Sequence, residues 1–255
     1  MNRCFILILS CLLVLSCTKE QPLTFQLQEI NAKQLQACMN KSCPSIQVDY
    51  ALANSTNNLA GVINPQIERS LGQLISSSVM PDGELLDQVK PAVDAFVHNF
   101  QDYMGDFPNG VMEYQLDIDS HVSYQTQTLF SVATDFYIYT GGAHGYGGVQ
   151  FINMDAQTGQ ILTWPDLIND LEGFTAMAQA KFKSLNNIPE NDAINSTGFW
   201  FEDDVFVLPE SYGFTQEGLE FVYNTYEISS YVAGPQRMVI PFNELEPWLN
   251  AQTSL

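Results

Sequence analysis

Apolar and polar residues alternate with a period of two along much of this chain, and with a helical period in between. Leu23, Phe25 and Leu27 predict a strand over Leu23–Ile30, and Ile46, Val48 and Tyr50 predict a second. Asn64-Pro65 has the form of a helix start, cap followed by first-turn proline, and Ile67, Leu71, Leu74 and Ile75 extend the helix over Pro65–Ser78. Leu85, Val89, Val93, Phe96 and Phe100 predict a helix over Glu84–Met104, in which Pro91 implies a kink or a later start. After Phe107-Pro108-Asn109-Gly110 the period returns to two. Met112 to Tyr124 and Leu129 to Tyr139 read as a long antiparallel pair, and Val149, Phe151 and Met154 as another strand.

In the last third, Asp155 to Gly159 predicts a hairpin turn, with Ile161–Trp164 returning. A helix follows from Pro165 to about Asn187. Strands are expected at Phe199–Leu208 and Leu219–Ile228, separated by a turn region at Gly213/Gly218. Arg237–Ile240 is a last strand and Phe242–Asn250 a short closing helix. Helices and antiparallel strands in blocks, with no fixed repeat, argue an α+β fold of antiparallel sheets packed with helices.

The stretch with most promise for function is Tyr137 to Gly148. A strand pattern ends there in five glycines and one histidine, Tyr139-Thr140-Gly141-Gly142-Ala143-His144-Gly145 at its heart. Glycines at a strand end supply turns other residues avoid and let an outside group approach the backbone. Against this stands a purely structural role, in which Gly141-Gly142 makes a tight turn and His144 pins it.

The two ends of the chain place it. Arg3 and the apolar run Phe5–Leu15 form a segment too short for a membrane span, which needs about 20 apolar residues. Leu13-Val14-Leu15-Ser16-Cys17 resembles the lipobox of bacterial lipoproteins, which implies a signal peptide at 1–16, acylation of Cys17, a tether over 17–22 and a membrane partner through that lipid. Residue 18 is Thr rather than Asp, which mildly favours the outer membrane if the organism has two. Of five cysteines, Cys38 and Cys43 remain beyond this segment, and in an oxidising envelope they most simply form a disulfide.

The chain has 29 acidic against 9 basic residues, a net charge of −20. That disfavours nucleic acid, which needs a basic surface, and would speed encounter with a cationic protein. Its hydrophobic content of 45% is enough for a core. No nucleophile-elbow, zinc-protease or phosphate-loop motif is present. His98, His121 and His144 are scattered, and no metal site or cofactor is expected from them. The acids Asp117 and Asp119, and Glu202, Asp203 and Asp204, read as solvated faces before a calcium site.

An ordered set of short pieces resembles a family. Cys43-Pro44 with Ile46/Val48/Tyr50, Ile63-Asn64, Tyr139 to Gly145, Asp155…Gly159 with Asp166-Leu167, Phe221…Tyr226-Glu227-Ile228…Tyr231…Gly234, and Ile240-Pro241-Phe242 occur in sequence. They are similar to the extracytoplasmic domain family of unknown function shared by the lysozyme-binding anti-sigma factor RsiV and the N-terminal region of the peptidoglycan deacetylase PdaC. The resemblance implies two interlocked halves, PdaC-like over 23–148 and RsiV-like over 149–255. It implies a basic lysozyme-like muramidase or peptidoglycan as partner, while the aromatic-rich exit Tyr223, Tyr226 and Tyr231 beside Gly234-Pro235 adds Tyr226 and Tyr231 as candidate anchors of a binding surface, against plain strand packing on a half-buried sheet. Neither deacetylation nor sigma-factor control is expected to carry over. Phe201-Glu202-Asp203-Asp204 echoes a deacetylase acidic motif but has no nearby histidine pair. The alternatives are an enzyme acting on envelope glycan through His144, and a purely structural lipoprotein.

Overall fold

The structure, a computed structural model, describes residues 22–80, 82–107 and 113–251. The predicted signal peptide and Cys17 lie outside the described residues, as do Met112 and the Pro108-Asn109-Gly110 turn. Strand β1 spans Phe25–Asn31 and β2 Ser45–Ala53; α1 spans Ala60–Ser77 and α2 Val89–Asp106; β3 spans Gln115–Gln125, β4 Leu129–Tyr139 and β5 Tyr146–Asp155. These strands form one sheet in the order β1-β2-β3-β4-β5. Every neighbouring pair is antiparallel except β2–β3, which is parallel because α1 and α2 carry the chain back across the sheet.

The residues after β5 build the second layer. Helix α3 (Trp164–Leu167) and α4 (Leu171–Leu185) precede a three-stranded antiparallel sheet of β6 (Ser211–Phe214), β7 (Gly218–Tyr223) and β8 (Gln236–Pro241), and α5 (Phe242–Leu245) follows. The fold is therefore α+β with two mostly antiparallel sheets, as the periodicity predicts. Among the described residues no helix is long and apolar enough to cross a membrane.

Strand β4 joins the layers. Its residues 129–134 are all buried. Phe130, Val132, Phe136 and Ile138 enter the core beneath α1 and α2, whereas Leu129 enters the second core. Over these residues the strand is buried on both faces, so its period-two alternation does not divide a buried face from a solvent face there. Its polar residues are bonded: Ser131 donates to Asn153 (2.6 Å) and accepts from the Phe214 amide (3.0 Å), and Thr134 donates to Ser120 (2.9 Å). The first core centres on Phe96, Ile63, Ile67 and Leu71, the second on Phe174, Phe182, Phe221 and Tyr223. Each such side chain contributes about 1.5–3 kcal/mol by leaving water. Cys38 and Cys43 form a disulfide, their Cα atoms 5.3 Å apart.

The structure corrects several expected elements. Helix α1 begins at Ala60, so Pro65 lies inside it and Asn64 is no cap. The Asn64 amide instead bonds both backbone groups of Ala53, accepting from its N–H (2.8 Å) and donating to its carbonyl (3.0 Å). Helix α2 starts at Val89, the later start that Pro91 implies, which puts Pro91 in the first turn, where a missing N–H costs nothing. The helix expected over 165–187 is split. Thr163 and Asp166 form a reciprocal cap on α3, Asp170 caps α4, and the residues between bridge from Ile168 to Leu249.

Phe199–Leu208 is not a strand. Asp203 and Asp204 have φ of 51° and 60°, which breaks the pleat, while Phe199, Phe201 and Phe206 turn their rings onto Phe182. Conversely, Gly213 lies in β6 and not in a turn: a Cβ there would sit 2.1 Å from the Phe151 ring. Ile161 returns to Met154 by a single bridge rather than a strand, β7 ends at Tyr223, and the closing helix is interrupted before Pro247.

Candidate functional site

The loop from Thr140 to Gly145 connects β4 to β5, and it is open to solvent. Gly141 and Gly142 have φ of 94° and 98°, in the region where a Cβ is strongly disfavoured. Around Gly142 nothing would meet an added Cβ, so the glycine serves the turn and leaves the backbone accessible from outside. Tyr139, the last residue of β4, closes the turn by donating its hydroxyl to the Gly142 carbonyl (2.9 Å). Gly145 is buried because the Tyr137 ring lies across it; a Cβ there would be 2.5 Å from that ring. Ala143 and His144 are exposed.

His144 is held by residues more than eighty positions away. Its imidazole stacks on Tyr231, with centroids 4.0 Å apart and planes inclined by 22°. Its Nε2 is 3.2 Å from the Tyr226 hydroxyl, and its Nδ1 is 3.3 Å from the neighbouring Gly145 carbonyl. Tyr226 and Tyr231 approach one another at 5.7 Å. The structure thus brings His144, Tyr226 and Tyr231 into one cluster beside the glycine turn. Both tyrosines are partly exposed, at 51% and 38%, and Val232 at the tip of the adjoining turn is 94% exposed. Tyr226 adopts φ of 73°, an uncommon value for a bulky residue and one that the surrounding structure must enforce. Neither imidazole partner is a carboxylate, so an acid–base pair on His144 draws no support from the geometry.

Asn224, to which the sequence reading gave no role, holds this cluster together with Gly148 and Glu227. Asn224 clamps β5: its Oδ1 accepts from the Val149 N–H (2.8 Å) and its Nδ2 donates to the Val149 carbonyl (2.9 Å). Gly148 is required beside it, since a Cβ would lie 2.6 Å from Asn224 Oδ1. Glu227 accepts from the Asn224 N–H (2.8 Å), shaping the turn that presents Tyr226. The Glu227 N–H in turn donates to the Asn224 carbonyl (3.0 Å), so the two residues close the turn between them. Tyr146 is partly exposed and lines a depression of about 400 Å³ with Thr140, Gly141, His144 and Tyr226 on one side and the end of α1 on the other.

The electrostatics follow from crowding. Burial raises the Glu227 carboxyl, and the negative Glu210 raises it further, while the backbone hydrogen bond from Asn224 opposes both. The Tyr146 phenol is raised by burial and then by Glu227. The remaining candidate acids do not gather. Asp117 and Asp119 stand exposed on β3, and Asp204 is spent on the Asn195 N–H (2.9 Å). Among the described residues no group of three His, Cys, Asp or Glu could hold a metal.

Comparison with known proteins agrees with this architecture. The model of the deacetylase PdaC family matches residues 26–146, and that of a protein of unknown function, DUF3298, matches residues 165–243. A DUF3298 family member from Bacteroides fragilis NCTC 9343 superposes with a TM-score of 0.64 at 20% identity, covering 90% of this chain and 94% of its own. A DUF3298 family protein from Pseudomonas aeruginosa PAO1 gives 0.58 at 19% identity, covering 91% and 97%. At these identities the likeness speaks for the fold alone. A search of curated proteins finds no match. The two family models, PdaC over residues 26–146 and DUF3298 over residues 165–243, together support a DUF3298/PdaC-like chain.

Proposed function

We propose that this protein is a binding module of the bacterial cell envelope, tethered through lipid on Cys17, which takes a basic muramidase on the surface formed by His144, Tyr226, Tyr231 and the Gly141-Gly142 turn. The observation that carries the reading is the stacked pair of His144 on Tyr231, with Tyr226 beside it, standing exposed around an accessible backbone. Clustered aromatic residues held rigid at a surface make effective anchors, because little side-chain freedom remains to be lost on binding. Charge supports the choice of partner. A net charge of −20 attracts a cationic protein, and that attraction acts chiefly on the association rate.

The test is binding of the purified chain to a basic lysozyme, followed by biolayer interferometry across a salt series. The reading expects saturable binding at low ionic strength that weakens as salt rises, mainly through slower association. Absence of binding even at low ionic strength rejects it.

A further inference from the structure

Strand β1 has a partner on one side only. The first sheet runs β1-β2-β3-β4-β5, so the far side of β1 is an edge. The Thr24 carbonyl accepts from the Asn54 N–H (2.8 Å), which fixes the antiparallel phase of β1 on β2. In that phase Gln26, Gln28 and Ile30 turn their backbone groups toward β2, and Phe25, Leu27 and Glu29 turn theirs outward. Local bonds agree with this phase: the Leu27 carbonyl accepts from the Gln28 side chain (3.2 Å) and the Asn31 N–H donates to Gln34 (3.0 Å), so neither is spent on β2. Among the described residues the N–H groups of Phe25, Leu27 and Glu29 have no acceptor.

Open edges of this kind are usually blunted by lysine, proline, a bulge or a covering element. Strand β1 has neither lysine nor proline, and it pairs with β2 over seven residues without a break in register. Leu27 stands 67% exposed on it.

The same register sets a row of carboxylates across the sheet. Glu29 lies opposite Asp49, Asp49 opposite Asp119, and Asp119 opposite Asp135. Directly opposed residues share a face, and like charges opposed in this way repel. Cations reach only the far end of the row: Arg237 lies 4.0 Å from Asp135, and the His121 imidazole 3.7 Å from Asp119. At the open edge Glu29 and Asp49 meet neutral amides instead, from Asn31 (2.8 Å) and Gln47 (2.9 Å). Among the described residues neither has an ion pair.

A strand added at this edge takes up the outward groups of Phe25, Leu27 and Glu29, and its residue facing Glu29 becomes the next place in the row. A lysine or arginine there meets an unpaired carboxylate, and an apolar side chain two positions away covers Leu27. Main-chain bonds then supply affinity and the two side-chain positions supply selectivity. A second copy of this chain is a poorer occupant, since it brings another net charge of −20 to the same edge. From the free backbone groups and the complementary charge we infer that the β1 edge is a docking site for an extended segment of a basic polypeptide, added as a further strand with a lysine or arginine opposite Glu29. The site shares no residue with the His144 surface and does not rest on that reading.

Amide NMR titration of the full chain with the peptide Thr-Lys-Thr-Leu-Thr-Lys-Thr tests the inference; its palindromic order presents the same side chains in either strand direction. Two control peptides accompany it, one with proline in place of the leucine and one with glutamate in place of both lysines. Leu27→Pro removes an outward N–H and leaves β1 paired to β2, because proline is tolerated where an edge N–H faces solvent. Glu29→Gln removes the charge alone. The expected result is saturable binding of the leucine–lysine peptide at low ionic strength, slowed hydrogen exchange at the Leu27 and Glu29 amides, and no binding of either control. Affinity should fall about tenfold or more in Leu27→Pro and about threefold in Glu29→Gln. Exchange in the wild-type chain decides the matter even where Leu27→Pro lowers the melting curve. Absence of saturable binding overturns the inference, as do equal binding of either control, unchanged exchange at Leu27 and Glu29, or an affinity that neither variant changes. A dimer of the chain that Leu27→Pro disperses would also overturn it, in favour of a second copy.

Discussion

Asn224 reaches across from the second layer and takes both the N–H and the carbonyl of Val149 with one side-chain amide. That clamp closes the edge of the five-stranded sheet at Val149 and brings the loop bearing Tyr226 next to the loop bearing His144. The candidate surface exists because the two halves of the chain meet here.

Replacing Asn224 by Ala leaves the buried Val149 N–H without its partner, while the Val149 carbonyl keeps its bond from the Ser211 hydroxyl. The expected cost is about 1–3 kcal/mol, read as a lowered midpoint in chemical denaturation. The loss of the clamp should also release Tyr226 and weaken partner binding beyond what the stability change explains.

Two glycines test close packing independently of function. Gly148→Ala places a methyl 2.6 Å from Asn224 Oδ1 and 2.8 Å from the Phe136 ring, and Gly213→Ala places one 2.1 Å from the Phe151 ring. Both should destabilise, by about 1–3 kcal/mol, with Gly213→Ala the worse because the approach is closer. Gly142→Ala, whose methyl meets nothing, should lose stability only through its left-handed backbone.

These positions also mark how far the sequence could be read. The alternation from Leu129 to Tyr139 carries strand information in each residue, and β4 has those same bounds. Local periodicity failed where tertiary contacts decided the outcome. Asn64-Pro65 has the form of a cap, but Asn64 is consumed by Ala53 on the neighbouring strand. Gly213 looks like a turn glycine, yet it is small because Phe151 presses against it. At the site, the glycine turn and His144 are visible in one short stretch. The contact of His144 with Tyr226 and Tyr231 spans more than eighty residues, and the sequence offered the histidine loop and the aromatic-rich exit only as separate candidates. Asn224 was missed because a lone asparagine between two strands has no periodic signature.

Glu227 gives a pH prediction with a definite sign. Its carboxyl is raised above the usual carboxylate range, first by burial. In the window between the ordinary and raised values the folded state binds more protons than the unfolded one, so stability falls as pH rises through that window. Glu227→Gln keeps an acceptor for the Asn224 N–H without the charge. The variant should match or exceed the wild type in stability at neutral pH. Its advantage should shrink as pH drops below the usual carboxylate range, as thermal melts at several pH values would report.

The Cys38–Cys43 disulfide closes a short loop, so its entropic contribution is modest, about 2 kcal/mol. The double variant Cys38→Ala, Cys43→Ala should fold, with a denaturation midpoint lowered to that extent. It should leave partner binding intact, because the pair lies in the first part of the chain and does not line the His144 depression.

The most direct test of the central claim is the affinity of the double variant His144→Ala, Tyr231→Ala for a basic lysozyme at low ionic strength, measured beside the wild type. Both residues are at the surface, so folding should be preserved, and removing the stacked pair should weaken binding by about tenfold or more. A double variant that folds normally and binds as tightly as the wild type would contradict the account.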